Sequence, residues 1–181
     1  MAKPNEEMSK FFWVDLEMTG LDVKKDRILE VAAIVTDLQF NTLETYESVV
    51  WQSPEVIAGM NAWCQKTHRE SGLVDRIPHG KPLGEVEADL LALIHRHFAA
   101  DERIVLAGNS VSNDQAFLLE YCRKFAERLH YRVIDVSSFK QVFKSCYGVK
   151  VNKTNKHRAI DDILESIAEL KHYLSFISVK S

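Results

Sequence analysis

Phe11–Asp22 reads FFWVDLEMTGLD, an apolar run that turns acidic before it reaches any turn signal. The FFWV portion has the composition of a strand entering a core, and a single leucine separates the two carboxylates that follow, Asp15 and Glu17. Side chains at i and i+2 of a strand leave the same face, so both acids point one way. Crowded at a buried strand end, two carboxylates repel each other and lose hydration; they need a cation or a retained proton. A divalent metal that prefers hard oxygen ligands, Mg²⁺ or Mn²⁺, is the economical answer. The stretch therefore reads as the entry strand of a core and as part of a metal seat.

Working outward, Arg27–Asp37, RILEVAAIVTD, is too continuously apolar for a half-exposed strand and predicts a buried one. Asn41 supplies a turn signal, and the weak alternation of Thr42–Val50 predicts a third, more exposed strand, giving an antiparallel meander. Ser53-Pro54 reads as an N-cap with proline at the first helical position, opening a short helix through about Ala62. Leu83, Val86, Leu90, Leu93 and Ile94 fall at helical spacing within Lys81–Phe98. Ile104–Ala107 predicts a short strand that breaks at Gly108-Asn109. Asp114–Arg128 predicts a helix, Tyr131–Val136 a fifth strand with Ser137 as N-cap of the helix behind it, and Ala159–Ile177 a final amphipathic helix. That order implies an α/β fold, a mixed five-stranded sheet flanked by helices. At 181 residues it is expected to form a single domain, 1–181.

Composition narrows the class. Hydrophobic residues make up 46% and charged residues 27%, which excludes a disordered or fibrous chain. A net charge of -3 provides no global basic field, which argues against binding long duplex nucleic acid. It leaves room for a short substrate held through metal ions. The scattered thiols Cys64, Cys122 and Cys146 suit a reducing compartment and buried structural roles. No apolar run approaches the ~18–20 residues that span a bilayer, and MAKPNEEMSK lacks the pattern of a signal or transit peptide. A cytoplasmic protein with no membrane partner is expected.

Further acids follow. Asp114, in AGNSVSND, has an ordinary reading as a first-turn helix aspartate. It also follows an inner strand, where α/β sheets collect ligands. In HRAIDDI, His157 precedes Asp161 and Asp162 at the head of the last helix. Residues five apart on a helix diverge by about 140°, so His157 shares a site with Asp162 only from the loop before it. The loop-like GVKVNKTNK suits this. Periodicity does not choose between the aspartates, since both fall off the stripe of Ile160, Ile163, Leu164 and Ile167. Trp13 and Trp51 are expected in the core. Trp63 reads either as a buried helix-end residue or as a platform for an unstacked base. The cluster Lys150, Lys153, Lys156 and Arg158 reads equally as a solvated loop or as a phosphate attractor.

Taken together, the D-x-E of VDLEMTGLD, the aspartate of GNSVSND and the H-x(4)-D of HRAIDD resemble the motif set of the DEDDh exonucleases. The longer strings WVDLEMTGLD, RILEVA, GNSVSND, HYRVIDVSS and HRAIDDI are similar, in order and over essentially the whole chain, to the oligoribonuclease family. The resemblance implies a ribonuclease H-like fold and 3′→5′ hydrolysis of very short RNA, dinucleotides above all, to nucleoside 5′-monophosphates. It implies Asp15, Glu17, Asp114 and Asp162 as holders of two divalent ions, with His157 as general base. By the same resemblance Leu21 and Trp63 would bracket the bases and His68 would line their pocket. Ser110, Arg132 and Ser137 would cap the 5′-phosphate, and Tyr131 would reach the partner's site in a homodimer.

The chemistry is consistent with that set. Two metals about 3.5–4 Å apart serve the attacking and leaving oxygens of an in-line displacement. An imidazole with a pKa of about 6.5 suits removal of a proton from the attacking water at neutral pH. The rival readings are a DEDDh exonuclease that accepts longer strands, an RNA-binding module without catalysis, and a structural dimer with incidental acids. A binding module has no need to maintain mutually repelling carboxylates.

Overall fold

The computed structural model describes residues 8–151 and 158–178. Its sheet has five strands, β1 (Phe11–Met18), β2 (Ile28–Thr36), β3 (Thr42–Val49), β4 (Ile104–Gly108) and β5 (Leu129–Asp135), in the order β3-β2-β1-β4-β5. β1–β2–β3 is the expected antiparallel meander, and β4 and β5 join in parallel, so the sheet is mixed. Between β3 and β5 run α1 (Pro54–Ala58), α2 (Ala62–Glu70), α3 (Leu73–Arg76), α4 (Leu83–His97), α5 (Ser112–Tyr121) and α6 (Arg123–Ala126), and after β5 come α7 (Val136–Tyr147) and α8 (Ala159–Leu174).

Both faces of the sheet are covered, which is why β2 is buried along its whole length. Phe12, Val14 and Leu16 of β1 point into one core layer with Leu90 and Leu93 of α4 and Phe117 of α5. Trp13 points the other way, into a layer with Phe143 of α7 and Ile163, Ile167 and Leu170 of α8. Its indole N–H donates to Thr36 Oγ1 at 3.1 Å, so the buried polar atom is satisfied. By strand parity, Asp15 and Glu17 share the face of Trp13, the face on which α8 lies. β3 forms one edge and is studded with Glu44 and Glu47, charges that discourage pairing with another strand.

Several local expectations give way to tertiary packing. The helix opened by Ser53-Pro54 stops at Ala58, and the chain restarts as α2 with Asn61 as N-cap, its side chain accepting from the Cys64 N–H at 2.9 Å. The single helix expected over Asp114–Arg128 is broken at Cys122, whose backbone leaves the helical region (φ -122, ψ 65). Glu87 of α4 accepts from the N–H groups of Lys124 and Phe125 at the start of α6, which compensates the interruption. Ser137 is not the N-cap of α7; Asp135 is, because its carboxylate accepts from the Ser137 N–H. Trp51 is 51% exposed beyond the end of β3, not in the core, and Cys146 is exposed while Cys64 and Cys122 are buried. On α8, Leu164 turns outward, and Ser166, Leu170 and Tyr173 join Ile163 and Ile167 on the packed face. No described helix is long and apolar enough to cross a membrane.

Candidate active site

The carboxyl ends of β1, β4 and β5 converge on one rim of the sheet, the usual ligand edge of an α/β fold. Asp15 and Glu17 reach it from β1, and α8 crosses above them. The first turn of α8 brings Asp162, not Asp161, to the pair: one carboxylate oxygen each from Asp15, Glu17 and Asp162 lie within 4.8 Å of one another. Sequence periodicity left that choice open; the docking of α8 on the Trp13 face makes it.

Asp114 stands on the first turn of α5 and is 5% exposed. Its Oδ1 accepts the backbone N–H of Leu16 at 3.0 Å, which ties α5 to β1 between the two strand acids. Burial pushes the Asp114 carboxyl up to about 7 against the pull of that N–H, and Asp135 adds repulsion. Glu17 is pushed up to about 8, first by burial and then by the charges of Asp162, Glu30 and Asp114. Glu17 and Asp114 therefore hold their protons more tightly than ordinary carboxyls, and a bound cation would release them. The donor set is all oxygen, which fits Mg²⁺ or Mn²⁺. His157, expected beside these acids, lies outside the described residues, as do Lys153 and Lys156 of the basic cluster.

α2 backs Glu17. His68 is 1% exposed, its Nε2–H donating to the Met18 carbonyl at 2.9 Å and its Nδ1 facing Glu17 Oε2 at 3.8 Å. The ring therefore turns toward Glu17 from behind instead of offering surface to a base. Trp63, on the first turn of the same helix, is 65% exposed, so the buried reading of this residue does not hold. Leu21 is 74% exposed at the tip of the turn after β1. Asp26 builds that turn by accepting from Thr19 Oγ1 and from the Asp22 N–H, both at 2.8 Å. Gly20 gives that carboxylate room, because a Cβ would sit 2.5 Å from Asp26 Oδ2 and push it out of these hydrogen bonds.

On the β4–β5 side, Ser110 occupies a left-handed backbone conformation (φ 58), uncommon for a serine. Asp135 Oδ1 holds it there, accepting from the Ser110 N–H at 2.8 Å and from the Ser137 N–H at 2.9 Å. One oxygen thus joins two of the residues named from the sequence as phosphate-cap candidates. Arg132 lies on β5, its guanidinium 5.1 Å from the Tyr131 ring centroid, and Tyr131 is exposed at the sheet edge. Sequence reasoning missed Asp135, Glu30 and Asp26. For Asp135 the signal was its place directly before a helix; for Glu30 it was a lone acid inside RILEVAAIV.

Comparison with known proteins agrees with this geometry. An exonuclease family model matches residues 12–170. The chain is 44% identical over 174 residues to a probable oligoribonuclease of Dictyostelium discoideum, covering 93% of this chain and 90% of that one. It is 42% identical over 181 residues to an oligoribonuclease of Pasteurella multocida, covering 97% and 98%. Among solved structures, Escherichia coli exonuclease I in complex with a dT13 oligonucleotide superimposes with a TM-score of 0.68 at 16% identity, over 93% of this chain. The fold is thereby the ribonuclease H-like one expected. The chain spans 41% of that exonuclease I chain, so the likeness is to one part of a longer protein.

Proposed function

This chain belongs to the oligoribonuclease family of exonucleases and is a 3′→5′ exoribonuclease, and from that premise we propose that its substrates are very short RNAs, dinucleotides above all, released as nucleoside 5′-monophosphates. The observation that carries the chemistry is the meeting of Asp15, Glu17 and Asp162 within 4.8 Å. With Asp114, these acids would hold two divalent ions, Mg²⁺ or Mn²⁺. Bound there, such ions would lower the pKa of the attacking water and offset charge on the leaving 3′-oxygen.

The chain's own groups divide the remaining work. His157, from the segment before α8, takes the proton of the attacking water as general base. Leu21 and Trp63, both exposed, bracket the bases, since unstacked bases are commonly held by aromatic and apolar side chains. His68 closes the pocket from behind Glu17. Ser110, Arg132 and Ser137 cap the 5′-phosphate, a role that suits two hydroxyls whose backbone Asp135 ties together and a guanidinium fork. An additional 5′ nucleotide would collide with such a cap, which gives selectivity by length.

The same reading includes a single exonuclease domain over 1–181, a cytoplasmic location and a homodimer in which Tyr131 reaches the partner's site. An open apolar groove of about 700 Å³ lined by Val142, Phe143, Tyr147, Phe176 and Ile177 supports association through this side of the molecule.

Single-turnover cleavage of 5′-phosphorylated RNAs of two to seven nucleotides, in Mg²⁺ with a parallel EDTA control, tests the proposal. The expected result is a rate highest for the dinucleotide that falls sharply with one added residue. Equal rates at all lengths would reassign the chain to exonucleases of longer single strands, and no metal-dependent cleavage would leave a binding module.

A further inference from the structure

The acids of the rim do not stop at the proposed metal site. Glu17 of β1 stands directly opposite Glu30 of β2, and Asp15 stands opposite Ala32, which in turn stands opposite Glu47 of β3. Paired residues share a face, so Asp15, Glu17, Glu30 and Glu47 form an acidic row across three strands, on the face that α8 covers over β1 and β2. Like charges directly opposite one another are destabilising, and Glu30 is 1% exposed, so a structural reason for this row is needed.

The outer two acids are held by arginines from outside the sheet. Arg76 at the end of α3 pairs with Glu30 Oε1 at 2.6 Å and approaches Glu47 Oε1 at 3.8 Å. Arg158 pairs with the same Glu47 oxygen at 2.7 Å. The other Glu30 oxygen faces the N–H of Ala159, the first residue of α8, at 3.5 Å. Both ends of the chain Glu30–Arg76–Glu47–Arg158 therefore close on the start of α8. That start carries Asp162 one turn later and directly follows His157 in the sequence.

We propose that this four-residue charge chain is a positioning device, which fixes the first turn of α8 over β1 and so sets the spacing of Asp162 from Asp15 and Glu17. The device lets an acidic row serve two purposes. Its inner members face the cation, while its outer members, neutralised by guanidinium groups, anchor the helix that completes the ligand set. Arginine suits the task, because its planar fork can engage two carboxylates in fixed geometry where an ammonium would act as a point charge. This inference rests on the reading of Asp15, Glu17 and Asp162 as a metal seat.

The sign of one measurement separates positioning from simple electrostatics. By charge alone, removing a guanidinium near a cation site strengthens cation binding. Positioning demands the reverse. For Arg76→Met we expect Mn²⁺ affinity, measured by calorimetry on the folded protein without substrate, to fall about 10- to 100-fold. Turnover should fall with it at fixed Mn²⁺, KM for a dinucleotide should stay within about twofold, and Arg76→Lys should recover part of the loss. If Arg76→Met does not fold, Arg158→Met reads the same sign from the more exposed end, with a fall of about tenfold expected. A folded variant that binds Mn²⁺ as tightly as the wild type, or more tightly, overturns the positioning role and leaves the metal seat intact. A wild type that binds no Mn²⁺ overturns the metal seat and this inference with it.

Discussion

The backbone N–H of Leu16 donates to Asp114 Oδ1 at 3.0 Å, so a helix acid 98 residues later in the chain is fastened between the two acids of β1. The bond gives Asp114 a structural duty beside its proposed ligand duty. Asp114→Ala leaves a buried N–H without a partner and should cost about 1–3 kcal/mol. Asp114→Asn keeps an acceptor for Leu16 and removes a buried charge. It should hold or raise the melting temperature of the metal-free protein while still abolishing turnover. Thermal denaturation in EDTA, set beside single-turnover rates, separates the two duties.

Glu17 gives the metal-free protein a pH dependence of defined sign. Its carboxyl is raised from 4.5 to about 8 in the fold, by burial first and neighbouring acids second. Between those values the native state binds the extra proton, so stability is fully present below about 4.5 and is lost as pH rises through about 8. Glu17→Gln should flatten this decline, an effect on the order of a few kcal/mol. Denaturant titrations at pH 5 and pH 8 in EDTA measure it. Mn²⁺ binding at pH 7 should release protons, seen as a dependence of calorimetric heat on the buffer. A pH-independent stability in wild type would refute the assignment of a retained proton.

His68 presses on Glu17 from a buried position, with its tautomer set by the Met18 carbonyl. His68→Gln preserves a donor to Met18 but withdraws the ring from behind Glu17. Metal affinity should fall about tenfold. KM for a dinucleotide should change less than kcat, because the ring offers no exposed surface for stacking.

Leu21 and Trp63 predict the opposite split. Both are exposed, so Leu21→Ala and Trp63→Ala should leave the melting temperature nearly unchanged. Loss of a stacking platform is worth about 1–3 kcal/mol per base, which for Trp63→Ala corresponds to a KM increase of roughly 5- to 150-fold. Steady-state kinetics on a dinucleotide, with Mn²⁺ affinity as the unchanged control, decide the point.

Asp135 offers a test of the proposed phosphate cap that leaves Ser110, Arg132 and Ser137 in place. Asp135→Ala releases the N–H groups of Ser110 and Ser137 together and should cost about 1–2 kcal/mol through the lost N-cap alone. Its informative effect is on selectivity. The rate advantage of a 5′-phosphorylated dinucleotide over an unphosphorylated one should shrink, while metal affinity holds.

The legible parts of this molecule were those governed by short-range pattern. The meander was readable because Ile28–Thr36 is apolar apart from Glu30 and Thr36 and the turns beside it are short. Asp15 and Glu17 were readable as a pair because strand period two leaves them no other arrangement. Breaks in helices were not readable. Cys122 interrupts α5 and α6 where local propensity favours continuation, and the Glu87 side chain that compensates comes from a helix far away in sequence.

The sequence by itself determined the succession of strands and helices, the pairing of Asp15 with Glu17 and the family, since these reside in residue identity and spacing. Tertiary structure alone decided which of Asp161 and Asp162 faces the rim. It also decided that Trp63 is exposed while His68 is buried, and that Glu30 belongs to the site. The physical reason is the same in each case. A helix presents all its faces until another surface covers one, and an acid in a strand acquires partners only when neighbouring strands and arginines arrive from elsewhere in the chain.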